Sequence, residues 1–332
     1  MEIWVGKEKG CDFSTIQAAV DAVERQSDGG PAAIYILSGV YEEAVRIYRS
    51  DLAVIGIGQA VIRMSRYARE RDASGKEIGT FATPALFLGG SRLVVENVTV
   101  ENSAGPGERV GQALALYAHC DLAVFRHCVF KGHQDTVFTG PLPPSPRAGG
   151  TFGGIPLQEH HEQYRQLYEF CRIEGNVDFI FGGATAYFER CEIHSLPRAA
   201  AGDPGYLTAA STSLSQEYGY VFRDCRLTAV PEVSEGSVYL GRPWREYAKT
   251  AFVGCRYGPH IHPQGWDNWG DPSHEVTVRY GEYGMGGDTD ELRPQRAAWA
   301  ECSERGEEAW TREKVFGEAA AFFERCSLTR VQ

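Results

Sequence analysis

Apolar residues recur along this chain in short runs separated by Gly, Pro, Asn or Asp. Such runs predict β-strands at 34–37, 52–56, 93–100, 122–130, 168–173, 186–193, 219–227, 238–240 and 250–257. Helical spacing is clear only near the start, where Ile16, Val20 and Val23 share one face through Arg25. Ser14 followed by Gln17 predicts a capping box for that helix. An Ala- and Glu-rich stretch from about 303 to 332 predicts a helical tail.

The strand-rich part carries a weak repeat. Phe125-Arg-His-Cys128, Phe188-Glu-Arg-Cys191, Phe222-Arg-Asp-Cys225 and Phe252-Val-Gly-Cys255 share F-x-x-C, at intervals of 63, 34 and 30 residues. Strand units repeated without intervening helices predict an all-β solenoid whose coils stack over one continuous core. A Cys recurring at one place in each coil reads as a small interior hydrophobe. Phe323-Glu-Arg-Cys326 has the same spacing but falls in the helical tail, where it reads as coincidence.

Residues 140–163 interrupt this rhythm. Within 140–156 stand five prolines and five glycines, too many for a strand or helix interior. Strand units continue on both sides, so the segment reads as an inserted loop within a single domain spanning 1–332. Because it follows the polar stretch around Asp135, and its prolines limit its freedom, it is expected to form a fixed wall across one end of any groove there.

Composition narrows the class. The 332 residues carry 33 Lys+Arg against 44 Asp+Glu, a net charge of −11, which argues against nucleic-acid binding. No apolar run is long enough for a membrane span. The first ten residues lack an apolar signal-peptide core, which predicts a cytoplasmic protein. Nine scattered cysteines without C-x-x-C pairs fit reduced thiols better than a disulfide framework.

Three stretches set polar groups among apolar strands: Gly111-Gln-Ala-Leu-Ala-Leu-Tyr117, Gly132-His-Gln-Asp-Thr-Val-Phe138 and Gly175-Asn-Val-Asp-Phe-Ile-Phe-Gly-Gly183. Asp is a poor strand former, and a carboxylate in an apolar segment needs a partner. Each Asp alone reads as a turn residue. Together, two amides and two carboxylates on neighbouring coils about 4.8 Å apart suggest one convergent site. Val238-Tyr-Leu-Gly-Arg-Pro-Trp-Arg-Glu-Tyr247 offers Arg242 as a partner able to hold a buried carboxylate ionised.

Those stretches, with Asp12-Phe-Ser-Thr-Ile16, Gly39-Val-Tyr-Glu-Glu43, Glu96–Pro106 and Gly265-Trp-Asp-Asn-Trp269, resemble the signature regions of pectin methylesterases, in order over residues 4–300. The resemblance implies a right-handed parallel β-helix and hydrolysis of the C6 methyl esters of galacturonate in pectin or oligogalacturonides. It implies Asp178 as nucleophile, Asp135 as general acid and then base, Gln112 and Gln134 as oxyanion donors, and Arg242 orienting Asp178. It further implies Trp244, Trp266, Phe179 and Thr83 as substrate contacts, no metal or other cofactor, and a monomer. The 140–163 insertion departs from the family pattern, as does Gly183 where an Asn is usual.

Two other readings compete. A pectin lyase would want a calcium site of clustered acids, and a glycoside hydrolase two or three acids around one bond; neither accounts for paired Gln. A non-catalytic sugar-binding solenoid gives no reason for Asp178 in an apolar strand. Glu159-His-His-Glu162 imitates a metal cluster but reads as solvated loop, Asn97-Val-Thr99 as strand interior, and Trp266 and Trp269 fit core packing equally well.

Overall fold

A computed structural model describes residues 1–26, 30–147, 149–200, 202–284 and 295–328. Its named strands pair in parallel in two sheets. Seven strands follow one another in sequence order across the shorter sheet: Val45–Ile47, Leu86–Leu88, Leu116–Ala118, Val137–Thr139, Ile180–Gly182, Gly205–Ala210 and Val238–Gly241. The sixteen-stranded sheet makes two further walls. Its long strand Ser91–Asn102 pairs with Asp121–Arg126 along one half and with Val129–Lys131 along the other, and two ladders diverge from there. Three walls around one core make a parallel β-helix.

The F-x-x-C repeat is the corner between the two long walls. The Phe rings stack through the interior, with a fifth copy, Tyr168-Glu-Phe-Cys171, filling the 63-residue gap. Phe125–Tyr168, Tyr168–Phe188, Phe188–Phe222 and Phe222–Phe252 lie 4.5, 4.6, 4.5 and 4.5 Å apart, near-parallel. The third residue of each copy, His127, Phe170, Arg190, Asp224 or Gly254, takes a left-handed φ between 51° and 62°. That turn splits each predicted run in two; 122–130, for instance, becomes Asp121–Arg126 and Val129–Lys131. The Cys that follows is interior, and its thiol donates to a neighbouring coil, as Cys225 Sγ does to the Phe188 carbonyl at 3.3 Å. Burial pushes the Cys128 and Cys225 thiols well above their usual range, which keeps them unreactive.

The N-terminal helix, Ile16–Glu24, buries Ile16, Ala19, Val20 and Val23 over the open end of the core. Its expected Ser14/Gln17 capping box does not form. Glu43 instead accepts from the Ile16 and Gln17 N–H groups at 2.8 and 2.9 Å, because a distant carboxylate satisfies the orphan donors better than a local hydroxyl. At the other terminus Arg312–Phe316 and Ala320–Leu328 are helical and press Val315, Phe316 and Phe323 onto Val124, Leu167, Tyr187 and Val221. Residues 329–332 of the expected tail lie outside the described residues. No helix among the described residues is long and apolar enough to cross a membrane.

Alternation across the shorter sheet decides what the insertion does. Leu86, Leu116, Val137 and Ile180 face the core, while Phe87, Tyr117, Phe138 and Phe181 form an aromatic outer face. The insertion lies on that face through Leu142, Phe152, Ile155 and Leu157. His119 helps to anchor its far end, with Nε2 3.2 Å from the Glu159 carbonyl and 3.1 Å from Tyr164 Oη. His161 is accordingly half-buried, Nε2 3.0 Å from the Gly89 carbonyl, rather than freely solvated; Glu159, His160 and Glu162 are exposed.

Candidate active site

Asp135 and Asp178 each lie two residues before a strand of the shorter sheet, and those strands pair Val137 with Ile180. The two carboxylates therefore stack on adjacent coils, about 4.8 Å apart along the helix axis. The Asp135 N–H donates to the Val177 carbonyl at 3.0 Å. Both residues have left-handed backbone, φ 64° and 48°, which Asp tolerates better than most L-residues. The turn at Asp178 sends Phe179 into the core beside Ile180 while Asp178 itself meets Arg242.

Arg242 follows the strand Val238–Gly241 and grips Asp178 with both forks, Nε to Oδ1 and Nη2 to Oδ2, each 2.8 Å. Two rings hold the guanidinium: Tyr206 at 3.8 Å and Trp269 at 3.9 Å from ring centroid to Cζ. Trp269 has φ 59°, an unfavourable conformation for a bulky residue, fixed by its N–H donating to Asp267 Oδ1 at 2.7 Å.

Burial raises both carboxyl pKa values, and the ion pair with Arg242 opposes the rise at Asp178. Asp135 is raised much further, by burial first and the Asp178 charge second, against weaker pulls from Arg242 and a Gln134 hydrogen bond. The pair thus favours one charged and one protonated member, with the charge on Asp178.

Gln112 and Gln134 are both half-buried, and the coils bearing them meet where the Ala113 N–H donates to the Gln134 carbonyl at 3.2 Å. Gly107 crowds Gln134 so closely that a Cβ there would lie 2.4 Å from Gln134 Oε1. Trp244 is half-buried beside Phe138 and Phe181, at 6.5 and 5.6 Å between ring centroids.

Three expected substrate contacts are corrected. Trp266 is 2% exposed, stacked on Tyr280 at 4.4 Å with its Nε1 donating to Glu282, so it belongs to the core. Phe179 is 0% exposed among interior residues. Thr83, also 0% exposed, accepts from the Leu114 N–H and donates to the Thr80 carbonyl, a purely structural use of its hydroxyl. Trp269, not Trp266, faces the site, because the turn at 267–269 reverses the direction of the second indole. Tyr206 was not foreseen; the apolar run around it, Gly205–Ala210, was its only signal. Among the described residues no group of three or more His, Cys, Asp or Glu is arranged to hold a metal ion.

A family model described as Pectinesterase matches residues 2–141 and 158–318. The chain belongs to the pectinesterase family. Its gap at 142–157 falls inside the insertion. The chain is 31% identical over 309 residues to "Probable pectinesterase/pectinesterase inhibitor 64" of Arabidopsis thaliana, an alignment covering 88% of this chain and 46% of that protein. It spans about half the length of the first curated relatives it matches. Among solved pectinesterase structures, the pectin methylesterase from carrot superposes with a TM-score of 0.81 at 25% identity, covering 99% of this chain and 97% of that one. A pectin methylesterase in complex with a hexasaccharide superposes with a TM-score of 0.77 at 26% identity, covering 95% and 97%.

Proposed function

We propose that this protein hydrolyses the C6 methyl esters of galacturonate units in pectin or oligogalacturonides, giving methanol and a free carboxylate. The observation that carries the reading is the stacked Asp135–Asp178 pair with Arg242 forked onto Asp178. Ionised Asp178 attacks the ester carbonyl, and Gln112 and Gln134 donate to the oxyanion that develops. Neutral amides suit a site that must release an anionic product. Asp135 gives its proton to the departing methanol, leaving the galacturonyl group on Asp178 as an anhydride. Acylation removes the negative charge from Asp178, the second-largest cause of the raised Asp135 pKa, so Asp135 becomes a better base than acid at the moment it needs to be one. It then takes a proton from water, the hydroxide adds to the galacturonyl carbonyl, and Asp178 leaves as carboxylate.

Trp244, beside the outer aromatic residues, is the substrate-facing ring in this reading, with Trp269 behind Arg242. Incubation with methylated pectin tests the proposal: methanol is expected, with no new reducing ends and no unsaturated ends. Reducing ends without methanol would favour a glycoside hydrolase, and unsaturated ends a lyase.

A further inference from the structure

The interior stack of rings ends in a carboxylate. Phe252 pairs in register with Glu282 of the strand Arg279–Tyr283, so Glu282 takes the place that an aromatic ring fills in the five coils before it. Glu282 is 0% exposed, and Arg296 grips it with both forks, Nε to Oε1 and Nη2 to Oε2, each 3.0 Å. The Arg296 side chain is itself 2% exposed. Two buried charges cost more to desolvate than one more ring would, and such a pair is weak evidence for stability.

Its other hydrogen bonds show a second use. Arg296 Nη1 donates to the His262 and Pro263 carbonyls at 3.1 and 2.8 Å, and Glu282 Oε1 accepts from Trp266 Nε1 at 3.2 Å. The pair thus fastens the 262–266 turn from the core side. On its other side that turn is bound to Val238–Gly241: the Leu240 N–H donates to the Gly265 carbonyl at 2.7 Å, and the Asp267 N–H to the Gly241 carbonyl at 3.1 Å. Gly241 is held so tightly that a Cβ there would lie 2.1 Å from Thr208 Oγ1 and 3.3 Å from the Trp266 indole. Arg242 follows directly, and Trp269, three residues after Trp266, lies 3.9 Å from its guanidinium.

We infer that Glu282 and Arg296 are a positioning pair for the reaction: through Trp266 and the 262–267 turn they place Arg242, and through Arg242 they aim Asp178. The inference rests on the esterase reading above.

Glu282→Leu with Arg296→Met removes both charges together, leaves the net charge unchanged and fills the space with apolar groups. This double variant should unfold in urea at or above the wild-type midpoint. A merely structural pair would leave the reaction alone. Methanol release from methylated pectin should instead show kcat lower by about 10- to 100-fold with KM within about twofold, the scale of a small misplacement at a reacting group. The acid limb of its pH profile should also move to higher pH, because a loosened Arg242 opposes the rise at Asp178 less. Asp135, Asp267, Arg147 and Arg198 also act on Asp178, and the double variant replaces none of them. Arg296→Lys keeps a charge beside Glu282 but loses the fork that reaches the 262 and 263 carbonyls. It should show both changes more weakly, and it carries the test if the double variant does not fold. In the folded variant, a kcat within about threefold of wild type or an unmoved acid limb overturns the inference. Absence of methanol with wild type would instead defeat the esterase reading. Crystal structures then decide the pair alone: Arg242 displaced from Asp178 in the variant supports it, and an intact pair of 2.8 Å hydrogen bonds overturns it.

Discussion

Arg242 holds Asp178 through two 2.8 Å hydrogen bonds, and Tyr206 and Trp269 hold Arg242 in turn. The charge on a nearly buried carboxylate is thereby retained and aimed, while the carboxylate one coil below, Asp135, is left to keep its proton.

Asp178→Asn preserves shape and should fold like wild type by circular dichroism. Its methanol release should fall by more than a thousandfold, because an amide cannot form the anhydride. Retention of more than about a tenth of the rate, a loss below 1.4 kcal/mol, would rule out the covalent route.

Gln134→Ala should cost about 2.7–4 kcal/mol of transition-state stabilisation, read as a fall in kcat at nearly constant KM. Gly107→Ala tests the same amide indirectly, since the new Cβ would collide with Gln134. It should lower kcat in the same manner but less, and Gly107→Ala in a Gln134→Ala background should add little.

The pH profile of kcat/KM should be bell-shaped. The rate rises as Asp178 ionises and falls as Asp135 loses its proton, and burial displaces both limbs upward, the alkaline limb most. Arg242→Gln removes the interaction that opposes the rise at Asp178. Its acid limb should therefore move to higher pH, in addition to a loss of rate.

Stability should decline in weak acid. Burial holds His119 and His260 neutral, with pKa lowered to about 4 from 6.5. Between those values the unfolded chain binds protons that the folded chain does not, so stability present above pH 6.5 is lost as pH falls toward 4. Each histidine contributes about 2 kcal/mol of loss between pH 7 and pH 5, against an opposing gain from Asp135, which is protonated in the folded chain and ionised in the unfolded one. Urea unfolding at the two pH values should show this, with a smaller difference in His119→Gln.

The interior stack predicts a mutational cost without a catalytic one. Phe188→Ala removes a ring stacked between Tyr168 and Phe222 and should destabilise by about 3–5 kcal/mol in urea titration. The folded fraction should keep wild-type KM.

Much of the site was legible in the sequence because the chemistry resides in residue types at local spacings. Asp178 in an apolar run, Gln134 beside Asp135, and Arg242 next to Trp244 are each visible within ten residues. The repeat of Phe and Cys likewise announced stacked coils, since identical side chains recur wherever coils share one interior position. The three-residue strands of the shorter sheet carried no such signal: buried on both faces, Val137–Thr139 and Ile180–Gly182 show no alternation, and among the seven only Val238–Gly241 was foreseen. Only the tertiary structure decided that Trp266 faces inward and Trp269 toward Arg242, because one left-handed residue determines the direction of the second indole. It alone set Glu43 on the first turn of the N-terminal helix and Arg147 beside Trp269, contacts that join residues 27 and 122 positions apart. Contacts of that span depend on how coils and loops stack, and local spacing carries no record of them.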